Sequence, residues 1–147
     1  MTAVNEAAPV LVVRREIAVP RQRVFDAWLD SEAMAHWMRP GKVTHSTVEV
    51  EPRVGGSFRI QMHGGDGECF DHRGEYLAIE QPSRLSFTWI SEGTDHKPTV
   101  VTIEFLERGT GTELVLTHQR LAPKAIEGHR EGWSDAIRVL DEVLTKG

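Results

Sequence analysis

The sequence predicts an α+β fold: a curved antiparallel sheet of about six to seven strands wrapped around one long C-terminal helix. Two observations carry this reading. Between Val43 and His118, short alternating apolar segments bounded by Gly, Pro and Ser turns recur every dozen or so residues, the pattern of a hairpin meander. The period then changes. Over residues 123–146, Ile126, Trp133, Ile137, Leu140 and Leu144 stack on one helical face, with charged residues around most of the remainder. At about 1.5 Å per residue this helix runs roughly 36 Å. A one-sided apolar stripe of that length needs a sheet to bury it.

In chain order, residues 1–9 read as a frayed tail without periodicity, and residues 10–147 as a single domain. Leu11, Val13 and Ile17 mark a strand over residues 10–18. Arg15 shares their parity, so it either snorkels near the strand end or pairs with a carboxylate that the sequence does not identify. Pro20 opens a short helix with Val24, Phe25 and Trp28 on its apolar edge. Ser31 is expected to cap a second, over residues 32–37, stopped by Pro40 and Gly41. Residues 43–50 alternate weakly. Gly55 and Gly56 permit a turn before Phe58, Ile60 and Met62, and Gly64, Gly65, Asp66 and Gly67 make a hairpin loop. A strand over residues 70–79 follows. Next come Leu85, Phe87 and Trp89, then Val101, Ile103 and Phe105, then Leu114, Leu116 and His118. Pro123 suits the first turn of the last helix.

Composition narrows the function classes. With 147 residues, 39% hydrophobic and 27% charged, the chain is long enough for one real core. A net charge of −5 gives no footprint for nucleic acid or an anionic membrane. No apolar run is long enough to span a bilayer, and residues 1–9 lack the pattern of a signal peptide. One cysteine, Cys69, allows no internal disulfide and fits a reducing compartment; the cytoplasm is the expected location.

Together the segments resemble the START-like, birch-pollen-allergen-like (SRPBCC) superfamily, and within it the C-terminal domain of the heat-shock-protein ATPase activators. The resemblance rests on residues 20–28 (PRQRVFDAW), 37–40 (WMRP), 53–59 (RVGGSFR), 74–76 (GEY) leading to Pro82 and 84–89 (RLSFTW), and 129–133 (HREGW). It implies the helix-grip fold. That fold hosts lipid carriers, hormone receptors, polyketide aromatases and cyclases, and cochaperone domains, so it does not settle chemistry.

The candidate site follows from strand parity. Phe58, Ile60, Met62, Phe87, Trp89, Ile103 and Phe105 should face the final helix, with Trp133 and Ile137 opposite and Trp37 near one mouth. Two readings stand: a ligand cavity lined by these groups, or a core that they simply fill. His129 lies on the face of Trp133 and either contacts ligand or bonds to a backbone carbonyl. His118 and Tyr76 are polar tips of strands, and the face of Tyr76 is not assigned. No histidine pair has the helical spacing that grips zinc. His63 and His72 flank the Gly-rich hairpin and would trap a metal only adventitiously. Cys69 reads as a buried inert thiol. Neither a metal nor a cofactor is called for.

Three functions compete. The first is binding of a hydrophobic or aromatic small molecule without catalysis. The second is an aromatase-, cyclase- or hydrolase-like enzyme in the same cavity, with His129 or Tyr76 moving a proton. The third is a domain that activates a chaperone ATPase, against which stands the separate N-terminal domain of the activators, which these 147 residues do not supply. A homodimer through an edge strand or the N-terminal helices is compatible with the charge pattern.

Overall fold

The computed structural model describes residues 10–146, so the expected tail at residues 1–9 lies outside the described residues. The elements run β1 (Leu11–Ile17), α1 (Arg21–Asp26), α2 (Ser31–Trp37), β2 (Val43–Val50), β3 (Ser57–Gly64), β4 (Cys69–Glu80), β5 (Arg84–Ser91), β6 (Thr99–Arg108), β7 (Gly111–Gln119) and α3 (Ile126–Lys146). Short 3₁₀ turns occupy Glu92–Thr94 and Pro123–Ala125. The seven strands form one antiparallel sheet in the order β1-β7-β6-β5-β4-β3-β2. Chain order is therefore preserved from β2 to β7, and only β1 crosses, to pair with β7. This is the helix-grip architecture: α1 and α2 leave β1, the sheet curls, and α3 lies across its concave face.

Parity decides which side is buried. Phe58, Ile60, Met62, Leu85, Phe87, Trp89, Val101, Ile103, Phe105, Leu114 and Leu116 are all buried, as are Trp133, Ile137 and Leu140 of α3. Tyr76 joins them. Its strand slips register between Tyr76 and Ala78, a bulge that hides the parity of β4 from a simple alternation count. Gly74 lies opposite Phe58, and a Cβ there would sit 1.9 Å from the Thr88 carbonyl oxygen and 2.6 Å from the Phe58 ring. Only glycine lets that ring lie flat across β4.

Two local expectations change. The N-cap of α2 is Asp30, whose carboxylate accepts from the Glu32 and Ala33 amides, so Ser31 is the first helical residue rather than the cap. Pro123 opens a 3₁₀ turn, and the α-helix proper begins three residues later. Arg15 resolves in favour of a pair: its Nε donates to Asp141 Oδ2 at 2.8 Å, tying β1 to α3. The arginine side chain is 39% exposed, so this is a surface latch worth about 1 kcal/mol or less. Nearer the middle of α3, six residues before Asp141, the Asp135 carboxylate accepts from the Gly41 amide, joining the helix to the chain that leaves α2. Among the described residues no helix is long and apolar enough to cross a membrane.

Candidate functional site

The helix does not grip the sheet evenly. Along its C-terminal half, Ile137, Val139 and Leu140 are buried in the core. In the 3₁₀ turn before it and along its first turns, Ala125, Gly132 and Ala136 flank the inward His129 and Trp133 and present almost no side chain, and Gly128 is exposed at the opening. A Cβ added at Gly128 or Gly132 would meet nothing within 4 Å. Here the helix stands off the sheet and leaves a cavity of about 360 Å³. Its sheet wall is Met62, His72 and Trp89; Met38 and Pro40 close one side, Gly93 the rim, and His129 and Trp133 reach in from α3. An outer chamber of about 500 Å³ shares Pro40, Met62, His72, Gly93 and His129 with it and adds, among others, Cys69, Phe70, His96 and the charged Asp71, Arg73 and Glu92.

The expected lining is corrected by this geometry. Met62, Trp89, His129 and Trp133 border the cavity. Phe58, Ile60, Tyr76 and Phe87 instead pack beside it, around a residual gap of about 10 Å³ shared with Trp28 and Met34. Ile103, Phe105 and Ile137 are fully buried core. Trp37, expected near the mouth, is also fully buried. Its indole N–H donates to the Ala27 carbonyl at 2.9 Å and its ring meets Trp28 edge-on. The space between sheet and helix is thus filled where α3 carries large residues and left as a cavity beside Gly132 and Ala136.

His118 lies behind the cavity wall, fully buried, in a chain of bonds that sets its protonation. The Trp133 indole can only donate, and it meets His118 Nδ1 at 3.1 Å. Nδ1 therefore carries no proton and Nε2 carries one, directed at Thr99 Oγ1 at 2.7 Å. The Thr99 hydroxyl proton goes on to the Trp89 carbonyl at 2.6 Å. Every member is satisfied with His118 neutral. Burial, and secondarily the nearby His129, push its pKa down to about 3.

The two cavity histidines are held in a common way. His129 Nδ1 lies 2.9 Å from the Ala125 carbonyl oxygen, one helical turn back, and His72 Nδ1 lies 3.2 Å from the Phe70 carbonyl oxygen. A carbonyl can only accept, so each Nδ1 is protonated and each neutral ring keeps its Nε2 lone pair. The His72 ring also lies against Trp89, tilted by 35° with centroids 4.9 Å apart. Burial lowers its pKa, and His129 adds to the effect while the Phe70 and Ile60 carbonyls oppose it. His129 sits edge-on to His118 at 5.1 Å. The rim is shaped to allow this. Ser91 and Thr94 form a capping box around the 3₁₀ turn, and a Cβ at Gly93 would come within 3.2 Å of the His129 ring.

The remaining candidates separate. His63 stacks on His45 with centroids 4.5 Å apart, while His72 lies against Trp89. The pair flanking the hairpin therefore does not converge, because odd and even residues of facing strands point to opposite sides. Among the described residues no group of three or more His, Cys, Asp or Glu side chains is placed to hold a metal. Cys69, expected to be buried, is exposed: it opens β4 at the rim, opposite His63. Sequence reasoning missed Gly128, Gly132, Met38 and Pro40 altogether, and gave His72 only the metal role. The signal that would have found the first two is the stripe of small residues at positions 125, 128, 132 and 136, since glycine inside a helix costs about 1 kcal/mol relative to alanine.

The family model for activator of Hsp90 ATPase homolog 1-like protein matches residues 18–145. The chain belongs to that family. The match takes in every element from α1 to α3, including both walls of the cavity. Solved structures share the fold. A protein from Rhodobacter sphaeroides is 25% identical with a TM-score of 0.81, over 96% of this chain and 95% of that one. One from Arthrobacter aurescens is 21% identical with a TM-score of 0.84, over 95% and 88%. An HSP90 activator from Plasmodium falciparum is 22% identical with a TM-score of 0.74, over 92% and 96%. No match was found among curated proteins.

Proposed function

We propose that this member of the activator of Hsp90 ATPase homolog 1-like family binds a hydrophobic or aromatic small molecule in the cavity between sheet and helix, without transforming it. The observation that carries this is the half-open cavity beside Gly132, where the helix carries no side chain to fill it. Glycine at that position costs the helix about 1 kcal/mol relative to an alanine that would fit without a contact. A chain selected for stability alone would fill such a site. The space it leaves is walled by Trp89, Trp133 and Met62, suited to a flat apolar guest. Burying about 200 Å² of such a guest contributes on the order of 5 kcal/mol before association costs, which places the affinity of a purely apolar guest at about the millimolar to sub-millimolar level.

The test is a titration with naphthalene followed by tryptophan fluorescence, on the natural protein and on Gly132→Leu. The natural protein should bind with a Kd of about 1 mM or tighter. Gly132→Leu should lose about tenfold or more in affinity while its melting temperature stays level or rises, because the leucine occupies the guest's place. Binding that survives Gly132→Leu unchanged, or no binding to the natural protein, contradicts the proposal. The family description favours a second reading, an ATPase-activating contact with a chaperone through the outer surface. That contact would be indifferent to filling the cavity, so the same variant separates the two.

A further inference from the structure

The ligand class can be narrowed by the polar groups of the cavity, an inference that rests on the small-molecule reading above. We propose that the cavity selects a neutral aromatic carrying a hydroxyl group, which donates its hydrogen bond to Nε2 of His129, with His72 as a second acceptor beside it. The argument is one of matching donors to acceptors. Both rings have Nδ1 engaged by a backbone carbonyl, so what each offers is a lone pair at Nε2. The indole N–H of Trp133, the donor nearest them on the helix, is already given to His118. A guest that brings only acceptors leaves these lone pairs unmet, and a buried unmet acceptor is costly.

Charge is excluded on the same grounds. The cavity wall contains no Lys, Arg, Asp or Glu. A carboxylate would face two imidazole lone pairs with no cation, and an ammonium would be stripped of water with no anion. An imidazolium at His129 would place a charge 5.1 Å from buried His118 and near half-buried His72. Shape points the same way. The Trp89 and Trp133 rings, packed on each other with centroids 4.8 Å apart and tilted by 52°, form one apolar wall for a planar ring to lie against, and His129 stands on the turn of α3 before Trp133. A planar guest held by the two indoles thus carries its edge, not its face, toward the imidazoles.

The experiment compares 2-naphthol, 2-methoxynaphthalene, naphthalene and 2-naphthoate by calorimetry at neutral pH. 2-Naphthol should bind about tenfold tighter than 2-methoxynaphthalene, which keeps the oxygen but cannot donate. 2-Naphthoate should bind more weakly than naphthalene. In His129→Leu the advantage of naphthol over its methyl ether should fall to about twofold or less while naphthalene binding persists. His129→Gln, whose amide oxygen accepts, should recover part of the advantage. Equal binding of naphthol and its ether, tighter binding of naphthoate than naphthol, or an advantage that survives His129→Leu overturns the assignment. If naphthalene binds and the hydroxyl adds nothing, this inference alone fails. If none of the four binds, the small-molecule reading fails with it.

Discussion

Trp133→Ala is expected to lower the free energy of unfolding by about 3–5 kcal/mol, the range for truncating a buried aromatic, and Trp133→Phe by about 1–2 kcal/mol. The indole is 4% exposed and touches three elements at once. Its ring packs on Trp89 of β5 at 4.8 Å and approaches Trp28, which follows α1, at 6.2 Å, while its N–H bonds His118 of β7. Alanine removes all three contacts and merges the lost volume with the existing cavity, so the site has little to collapse onto. Phenylalanine keeps most of the ring contact and removes the one donor that His118 Nδ1 meets. Urea unfolding of both variants checks this. Equal losses in the two variants, or a loss below about 1 kcal/mol in Trp133→Ala, would show that the helix is not held at this point.

Acid should unfold the protein earlier than its carboxylates alone require. The unfolded chain binds a proton at His118 near pH 6.5, whereas the folded chain resists it down to about 3. Between those values the unfolded state binds more protons, so stability falls as pH falls. The contribution is complete above pH 6.5 and drops by about 1.4 kcal/mol per pH unit below it, or about 2 kcal/mol by pH 5. His72 is shifted in the same direction and adds to the slope. The carboxylates held low by hydrogen bonds, Asp135 by Gly41 and Glu51 by Ser57, act only at lower pH, near and below their ordinary values. His118→Gln should be less stable than the natural protein at neutral pH. Between pH 6.5 and 5 its unfolding free energy should change with a slope shallower by about 1.4 kcal/mol per unit. An unchanged slope would mean that His118 is not the buried neutral imidazole described.

The architecture was legible because it follows from two periods that differ. Alternation at Phe58, Ile60 and Met62, and again at Leu85, Phe87 and Trp89, placed the inward face of the sheet, and the stripe from Trp133 to Leu144 placed the helix against it. Tyr76 escaped because a bulge breaks the count within β4. The site was half legible. Reading apolar residues finds where matter is concentrated, so Phe58, Ile103 and Phe105 were expected around the cavity when in fact they fill the core. A cavity is where side chains are small, and Gly132 and Ala136 record it directly. His72 was out of reach: its partner Trp89 is 17 positions away, and nothing local to a hairpin shows that the two rings pack together. The relay from Trp133 through His118 and Thr99 to the Trp89 carbonyl joins a helix to three strands, a juxtaposition only the assembled sheet makes.

The central claim is that the guest lies under the first turns of α3, where the helix carries glycine. A crystal structure of the protein grown with naphthalene tests it most directly. The account predicts planar density against the wall formed by Trp89, Trp133 and Met62, within van der Waals contact of Gly132. Density on the outward-facing surface near Arg59 and Arg73, with the space beneath Gly132 empty, would contradict it.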